Sequence, residues 1–364
     1  MEIKRLNKRQ LLEHISSQDF ESQPFLPISR HRAISHIANP RADEEDILLL
    51  LAYEDGKLLG YLGALPDYMF YGEGQHEKCA WLSCMWIDEN QRGKKIAQQL
   101  IAACLDAWKN RILVTEFTVA AKRLYDKSGV FDDLAVNKGI RLYLRSDIYK
   151  LLPPKGRIFS STKYMLRGLD AVVNSMLDLR FNLYKRQKLS VEYPAMVDAE
   201  TEHFISGKQQ GQVFRRSADE LNWILKNPWI LAGPENEMSR KYHFSSVDRS
   251  FNFYPVKLRD SNGKLIAYFI FSKRHKTLKL PYFYAEPGHL EEVMALVREH
   301  LILWNISTFT VFDPDIVAYL ESNRTIALYK KQIKRHYIIS KTLHHLLGTG
   351  KVVIQDGDAD CAFT

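Results

Sequence analysis

Runs of apolar residues separated by turn signals predict three successive strands early in the chain. Residues 47–53 form one uninterrupted apolar run, which is typical of a buried strand. Asp55 and Gly56 follow it directly, and this pair favours a tight hairpin turn into a second strand over residues 57–65. A glycine-rich reversal then precedes a third apolar segment over residues 79–87. The pattern therefore predicts an antiparallel meander.

Helical and strand patterns flank this meander on both sides. Two helices are predicted before it, over residues 9–16 and 29–37. After it come, in order, a helix over 97–110, a strand over 112–119, a helix around Leu124 and a strand over 140–144. By itself this order predicts a mixed α+β domain and no particular fold within that class.

The same order of elements returns in the second half of the chain. A break that contains Pro and Gly at 152–156 favours a domain boundary, and a helical stripe over 162–184 follows it. From about residue 190 the predicted elements are a helix over 217–226, strands over 250–258, 265–273 and 278–284, a helix over 289–304, a strand over 308–312, a helix over 315–320 and a strand over 334–340. We therefore predict a first domain over 1–150, a basic helical linker over 151–189, a similar second domain over 190–345 and a tail over 346–364.

The length and composition of the chain agree with two globular domains. Its 364 residues are 46% hydrophobic and 26% charged, which supplies ample apolar surface for two cores. The longest apolar run is too short to span a bilayer, and no apolar segment follows the charged N-terminus, so we expect a cytoplasmic protein. The four cysteines form no Cys-x-x-Cys pair, and we expect neither a disulfide framework nor a bound metal.

Positive charge is concentrated in one segment of the sequence. Residues 141–190 contain eleven Lys and Arg against three Asp, an excess that equals the net charge of +8 for the whole chain. A solvated helix face is the ordinary interpretation, and contact with an anionic partner, such as CoA phosphates, an acidic glycan, a lipid surface or RNA, is the alternative. The helical stripe in this segment favours a packed connecting helix, with a membrane-surface helix as the alternative. Its apolar positions are Met165, Leu169, Val172, Val173, Met176 and Leu177.

A basic turn between a strand and a helix is the strongest candidate binding site. The third predicted strand runs into Arg92, Gly93, Lys94 and Lys95, and a helix begins directly afterwards. The first amides of a helix have no partners within it and carry partial positive charge, so such a turn can hold a phosphate or a diphosphate. An ordinary surface turn has the same composition, and the sequence around the turn must decide between the two.

Two ordered motifs make the first half resemble the GNAT acyltransferase family. That family has a diphosphate-binding turn with the pattern Gln/Arg-x-x-Gly-x-Gly/Ala. Here Arg92, Ile96 and Ala97 fit the pattern, while Lys95 occupies its first glycine position. Downstream, residues 120–130 resemble the family's second signature, a short helix that carries Leu-Tyr and ends near a glycine.

The resemblance implies a fold and a tandem organisation. It covers about residues 1–145, and the repeated element order extends it to two GNAT-like domains, each a mixed, mostly antiparallel sheet flanked by helices. At the corresponding turn of the second domain, residues 285–289 contain an acid and a proline instead of the phosphate-binding pattern. We therefore expect the second domain to bind no CoA.

The resemblance also implies the residues that contact acetyl-CoA, the expected acyl donor. The backbone of Met85 and Ile87 would contact the pantetheine arm, and the amides of residues 92–97 would hold the diphosphate. Thr118 stands where many relatives have an asparagine. The complete set implied for the donor is Met85, Trp86, Ile87, Arg92, Gly93, Lys94, Lys95, Ile96, Ala97, Thr118 and Lys127.

Acyl transfer from a thioester needs one group that takes a proton from the acceptor and one that protonates the departing thiolate. Tyr125 matches the position of the family's usual general acid. Glu116, predicted to lie mid-strand among apolar neighbours, is the candidate general base, ahead of Glu77 and Glu89. The alternating carboxylates of residues 356–360 begin like a calcium loop without its closing glutamate, and we interpret them as a tail.

These features favour an acyl-CoA-dependent N-acyltransferase that transfers an acetyl group directly to an amine in a ternary complex. The expected acceptor is a small-molecule amine, an amino sugar or a peptide amine. We expect no nucleic-acid partner, a membrane contact through residues 141–190 is a secondary alternative, and the sequence leaves the oligomeric state open. Two other functions stay open: a Fem-type aminoacyl transferase that uses charged tRNA, and a non-catalytic scaffold or sensor that binds CoA.

Overall fold

The chain folds into two compact units, each assembled from separated stretches of sequence. The computed structural model describes residues 1–72, 74–91, 93–146, 148–151, 162–182, 189–348, 350 and 352–363. Arg92 and the predicted break at 152–156 lie outside the described residues. Unit 1 comprises Met1–Asn137, Ala195–Asn252 and Arg335–Thr364, and unit 2 comprises Lys138–Pro194 and Phe253–Lys334. The sequence analysis instead assigns one continuous stretch to each domain.

Fourteen strands and twelve α-helices lie in the described part of the chain. The strands are β1 (Glu2–Leu6), β2 (Leu49–Glu54), β3 (Lys57–Tyr71), β4 (Gln75–Ile87), β5 (Ile112–Thr115), β6 (Phe131–Tyr143), β7 (Ser190–Glu192), β8 (Leu231–Ala232), β9 (Val247–Asp248), β10 (Phe251–Arg259), β11 (Leu265–Arg274), β12 (Thr277–Ala285), β13 (Thr308–Val311) and β14 (Tyr329–Ser340). The helices are α1 (Lys8–Ser16), α2 (Arg30–Ile37), α3 (Ile96–Ala107), α4 (Val119–Ser128), α5 (Ile148–Leu151), α6 (Lys163–Asn182), α7 (Ala199–Ser206), α8 (Ala218–Lys226), α9 (Glu237–Arg240), α10 (Leu290–Leu303), α11 (Pro314–Ser322) and α12 (Lys341–His344).

Unit 1 is built on a mixed sheet with the strand order β1-β2-β3-β4-β5-β14-β6. The strands β1 to β4 pair antiparallel, as the apolar pattern predicts. Helix α3 connects β4 to β5, and these two strands pair parallel because a helical crossover reverses the direction of the chain between them. The last part of β14 pairs antiparallel with β5.

The apolar run in β2 is continuous because helices cover both faces of this sheet. Leu50 and Ala52 pack in the cluster that contains residues of α3, whereas Leu49 and Leu51 pack in the cluster that contains residues of α1 and α2. Successive side chains of a strand point to opposite faces, so a strand that is covered on both faces needs apolar residues at every position.

Unit 2 repeats the order of a meander, a helix and a parallel strand. Its sheet has the strand order β6-β13-β12-β11-β10-β7. Strands β11 and β12 pair antiparallel, α10 follows β12, and β13 pairs parallel with β12. Residues of α10 and α11 pack with those strands in a single hydrophobic cluster. The predicted α+β class, with a mixed and mostly antiparallel sheet, is confirmed.

The structure differs from the predicted elements at the end of β5 and at β1. The strand predicted over 112–119 ends at Thr115, because Glu116 has a left-handed backbone (φ 52°) and Thr118 already caps α4. Strand β1 was not predicted, because its sequence is charged and three of its five residues are exposed at a sheet edge.

The apolar stripe of α6, predicted to be packed, is largely exposed. Met165, Leu169, Val172 and Met176 are all more than half exposed. The buried side carries Leu166, Asp170 and Leu177 instead. Asp170 accepts hydrogen bonds from the amides of Ile148 and Tyr149 and from the Ser146 hydroxyl, which fixes this side of the helix inward.

Candidate active site

A cavity opens in unit 1 where β4 and β5 separate. The two strands pair only at Ala80 with Ile112 and at Trp81 with Leu113. Beyond these pairs both segments have a residue with a left-handed backbone. Cys84 (φ 50°) lies in β4, and Glu116 (φ 52°) directly follows the end of β5. Such conformations interrupt a regular ladder, so the backbones diverge and leave room between them.

Glycines on the neighbouring strand β3 accommodate the irregular part of β4. The register between β3 and β4 shifts between Tyr61 and Gly63, opposite the segment that contains Cys84. A Cβ atom on Gly63 would lie 2.8 Å from the carbonyl oxygen of Ser83, and one on Gly60 would lie 2.9 Å from that of Trp86. Only glycine allows the two backbones to approach this closely, so β3 is built to support the bulge.

The cavity has a volume of about 390 Å³ and brings together residues that are far apart in the sequence. Four of the predicted site residues line it: Met85, Glu116, Thr118 and Tyr125. Its remaining lining residues are Leu62, Leu82, Ser83, Cys84, Val114, Thr115, Phe117, Ala121, Phe244 and Asp360. The walls are therefore mostly apolar, with hydroxyl and carboxyl groups at a few positions, as is typical of a small-molecule site.

Tyr125 lines this cavity and carries a protonated hydroxyl. Its side chain is only 3% exposed, and its ring makes edge contacts with Phe117 and Phe131 at centroid distances of 6.1 and 5.5 Å. Burial, with a smaller contribution from Cys104, raises the pKa of Tyr125 well above its usual value of 10.0. The hydroxyl group therefore keeps its proton at neutral pH and can donate it or a hydrogen bond.

Glu116 lines the cavity, but its predicted position in the middle of a strand is wrong. It follows the end of β5, its side chain is 55% exposed, and one carboxylate oxygen accepts a hydrogen bond from Nε of Arg335 at 2.6 Å. Glu116 was expected among apolar neighbours, but it forms an ion pair with Arg335 instead. The apolar neighbours in the sequence misled the prediction, because Phe117 already belongs to the turn before α4.

Asp360 is a cavity residue that the sequence analysis missed. The residue is half-buried, and its carboxylate accepts a hydrogen bond of 2.7 Å from the hydroxyl of Ser83. The Ser83 hydroxyl in turn accepts a hydrogen bond of 2.6 Å from the guanidinium of Arg32. Burial raises the pKa of Asp360 above its usual value of 3.8, and the charge of Arg32 offsets this only in part. A carboxyl group with a raised pKa in a cavity is a candidate for proton transfer.

Buried arginines hold the C-terminal tail that carries Asp360. Asp356 pairs with Arg335, and Asp358 accepts a hydrogen bond of 2.8 Å from Arg216. Arg216 also binds the buried carboxylate of Asp67 at 2.9 Å. The alternating acids of the tail therefore have separate protein partners, which explains their spacing without a calcium ion. The alternation of carboxylates over residues 356–360 was the sequence signal that could have placed the tail in the site.

The predicted diphosphate turn lies between β4 and α3. A short 3₁₀ turn over Glu89–Gln91 leads to Gly93 (φ 93°), and α3 begins after Lys95, whose backbone is left-handed (φ 60°). The first turn of α3 contains no acidic residue, and the side chain of Lys95 forms no capping hydrogen bond. The amides that open a helix lack intrahelical partners, so this helix start can accept an anion.

The other predicted donor residues lie outside the cavity lining. Trp86 stacks on Phe25 at a centroid distance of 4.3 Å, and Ile87 packs against the cluster beneath α3. Lys127 is exposed in the last turn of α4. Lys94 is also exposed, with its Nζ atom 3.0 Å from a carboxylate oxygen of Glu54. Arg92 lies outside the described residues.

Three of the four cysteines are buried thiols. Burial raises the pKa of Cys79 and Cys361, and it raises the pKa of Cys104 to about 12, so these thiols stay protonated as small apolar groups. Among the described residues, no cluster of His, Cys, Asp and Glu has the composition of a metal site. In the same part of the chain, none of the helices combines the length and the apolar character that crossing a membrane requires.

Comparison with known proteins gives a family match over part of the chain. Residues 9–130 match the model of the Acetyltransferase (GNAT) family. A comparison with curated proteins gave no match.

Solved structures share the fold over nearly the whole chain. A probable N-acyltransferase of unknown function from Enterococcus faecalis is 11% identical with a TM-score of 0.54, and the match covers 93% of this chain and 73% of that one. A GCN5-related N-acetyltransferase from Anabaena variabilis is 15% identical with a TM-score of 0.51, over 92% and 72% of the two chains. Saccharomyces cerevisiae N-myristoyltransferase with bound myristoyl-CoA is 12% identical with a TM-score of 0.51, over 93% and 78%. Residues 9–130 therefore match the GNAT family of acyltransferases, and the solved structures share a fold with most of the chain.

Proposed function

We propose that this protein is an acyl-CoA-dependent N-acyltransferase that uses acetyl-CoA and transfers the acyl group directly to an amine. The observation that carries the proposal is the cavity between the separated ends of β4 and β5, with Tyr125 in its wall. The same strand β4 leads into a helix whose first turn is free of acidic residues. The strand that borders the cavity for the thioester is thus followed directly by the helix start that would hold the diphosphate.

The residues present suit a thioester donor. A volume of about 390 Å³ is enough for an acyl group and part of an extended arm. The backbone of Met85 borders the cavity and would orient the arm. Gly93, the side chain of Lys94 and the first amides of α3 would hold the diphosphate outside it. The donor supplies an activated carbonyl carbon, so no covalent intermediate on the enzyme is needed.

Two proton transfers accompany the reaction in this proposal. The acceptor nitrogen attacks the thioester carbonyl carbon, a C–N bond forms and the C–S bond breaks. Tyr125 gives its proton to the departing sulfur, and it suits this role because burial keeps it protonated. A carboxylate takes the proton that the nitrogen loses, and solvent later exchanges protons with both groups. The products are an amide and the free thiol.

We assign the general base to Asp360 in preference to Glu116. Both carboxylates line the cavity. Glu116 forms an ion pair with Arg335. Asp360 instead accepts a hydrogen bond from Ser83, and its pKa is raised. A base works best when its pKa lies near the working pH, and burial moves Asp360 in that direction. The hydrogen-bonded path from Arg32 through Ser83 would hold the carboxylate in place.

The proposal is tested by ligand stabilisation and by release of the thiol product. Acetyl-CoA should raise the melting temperature, because a ligand that binds only the folded state adds to its stability. A panel of small amines, amino sugars and peptides should then contain at least one acceptor that releases free thiol. Donor binding without thiol release across the panel would instead favour a non-catalytic scaffold. Stabilisation by tRNA and not by acetyl-CoA would favour an aminoacyl transferase.

A further inference from the structure

The tail that carries Asp360 needs an anchor on both sides of that residue. Upstream, the carboxylates of Asp356 and Asp358 pair with buried arginines. Between them and Asp360 the chain turns through Ala359, whose backbone is left-handed (φ 63°). This conformation is costly for a residue other than glycine, and it persists only where the neighbouring chain is fixed. The residues after Asp360 must therefore hold the turn from the other side.

Phe363 supplies the downstream anchor through an aromatic clamp. Its side chain is fully buried, and its ring stacks on Trp229 at a centroid distance of 4.3 Å and an interplanar angle of 6°. Trp223 contacts the same ring edge-on at 5.2 Å. Ser35 fixes both indoles, because its carbonyl oxygen accepts a hydrogen bond of 2.8 Å from Trp223 and its hydroxyl oxygen accepts one of 2.9 Å from Trp229. The two walls of the clamp are therefore held in place.

Two connections lead from the clamp to Asp360. The backbone amide of Phe363 donates a hydrogen bond of 3.1 Å to the carbonyl oxygen of Asp360. The guanidinium of Arg32 lies 3.8 Å from the centroid of the Trp229 ring. Arg32 also donates a hydrogen bond of 2.6 Å to the hydroxyl of Ser83, which donates one of 2.7 Å to the Asp360 carboxylate. The clamp thus contacts both the backbone turn that carries Asp360 and the hydrogen-bonded path that orients its side chain.

We propose that Phe363 is a positioning residue, which holds the Asp360 carboxylate in the cavity through its clamp against Trp223 and Trp229. Phe363 is not among the residues that line the cavity, so it acts through Asp360. The inference rests on the proposed function, in which Asp360 takes the proton of the acceptor nitrogen. It makes the turn after Asp360 a working part of the site.

Loss of the Phe363 ring should change the setting of the Asp360 carboxylate. In Phe363→Ala the turn loses its anchor, and water gains access to the carboxylate. Burial is the largest cause that raises the pKa of Asp360, Glu116 adds to the rise, and Arg32 opposes it. Better hydration should therefore move the acidic limb of the kcat/KM profile to lower pH. A purely structural role of Phe363 would leave this limb in place.

Steady-state kinetics of the full chain, with acetyl-CoA and the best acceptor of the amine panel, measure this role. Phe363→Ala should lower kcat by about 10–100-fold and leave the KM for acetyl-CoA within about twofold, because a misplaced base slows proton transfer without altering the donor site. Phe363→Leu keeps a buried apolar side chain and should retain most of the activity. The matched control Phe271→Ala removes a buried ring that packs on His300 and Trp304 in unit 2. It should lower the melting temperature without lowering kcat.

Alkylation of Cys361 reports the position of the turn without any turnover. This thiol is 3% exposed and lies two residues before Phe363, while Cys104 in α3 is fully buried and serves as an internal reference. In Phe363→Ala, iodoacetamide should label Cys361 at least about tenfold faster than in the wild type, because local opening exposes it. Labelling of Cys104 should not change. Mass spectrometry measures both sites.

The two readouts separate this inference from the proposed function. If the wild type releases no thiol with any amine, the proposed function fails, and faster labelling of Cys361 in Phe363→Ala would still support the clamp. Unchanged labelling of Cys361 in that variant would overturn the inference, whatever the activity. Wild-type kcat in Phe363→Ala, or an equal loss of kcat in Phe271→Ala, would overturn it as well.

Discussion

The two units share an order of strands and helices, but they differ at the start of the helix that follows the meander. In unit 1, α3 begins with no acidic residue in its first turn. In unit 2, Glu291 and Glu292 occupy the first turn of α10, and Nδ1 of His289 lies 3.3 Å from the carboxylate of Glu292. Carboxylates at this position neutralise the partial positive charge of a helix start. Unit 1 leaves that charge for a ligand, whereas unit 2 supplies its own anions.

The strands that precede α3 and α10 also differ between the two units in backbone conformation and pairing. In unit 1, β4 has a left-handed residue and pairs with β5 at two positions only. In unit 2, β12 pairs with β13 at three positions, and none of its residues has a positive φ. Phe283 and Phe309 are buried in the surrounding core. Core packing therefore maintains the shared arrangement, while a few backbone departures open the candidate site in unit 1.

The largest effect is expected at Tyr125. Replacing Tyr125 with Phe should lower kcat by about 10²–10⁴-fold, because the ring is kept and only the proton donor is lost. Acetyl-CoA affinity should change little. The matched control is Tyr319→Phe on α11 of unit 2, which should leave kcat unchanged. Steady-state kinetics with thiol detection measure both variants. Equal rates for wild type and Tyr125→Phe would remove Tyr125 from the mechanism.

The next effect concerns the two carboxylates of the cavity. Asp360→Asn should lower kcat/KM by about 10²-fold, whereas Glu116→Gln should lower it much less. In the wild type, kcat/KM should rise with pH as Asp360 loses its proton, and the midpoint should lie above 3.8 because burial raises the pKa of this group. That acidic limb should disappear in Asp360→Asn. If the acidic limb of the kcat/KM profile persists in Asp360→Asn, or if Glu116→Gln lowers kcat/KM more, Glu116 is the general base.

A smaller effect is expected when the glutamate in the first turn of α10 is introduced at the corresponding position of α3. Gln98 and Glu292 are both the third residue of their helices, α3 and α10. Gln98→Glu should stabilise the protein by about 0.3–1 kcal/mol through the helix dipole. It should nevertheless weaken acetyl-CoA binding by roughly tenfold, since the new carboxylate competes with the diphosphate. Denaturant unfolding and calorimetry measure the two effects, and tighter binding by this variant would contradict the comparison.

The smallest effect is expected at Lys95, which stands at the family's first glycine position. Its left-handed backbone costs a non-glycine residue about 1–2 kcal/mol, partly offset by the entropy that glycine loses on folding. Lys95→Gly should therefore raise the free energy of unfolding by about 0.5–1 kcal/mol. Lys94→Gly serves as control, because Lys94 has no positive φ and should gain nothing. A loss of stability in Lys95→Gly would show that the lysine side chain supports the turn.

The sequence predicted the regular parts of the fold because their periodicity is local. The three-strand meander and the helix after it follow from apolar runs and turn residues such as Asp55 and Gly56. The end of β5 was misplaced because a left-handed residue at Glu116 has no signature in the pattern of apolar positions. The role of Asp360 depends on contacts with Ser83 across 277 positions of the sequence, which periodicity does not encode.

Titration calorimetry can test whether the start of α3 binds the diphosphate of a thioester donor. Acetyl-CoA and acetyl-pantetheine carry the same acyl thioester, but only acetyl-CoA has a diphosphate. We expect one saturable site for acetyl-CoA, weakened by added salt, and much weaker binding of acetyl-pantetheine. No binding of acetyl-CoA, or equal affinity for the two compounds, would contradict it.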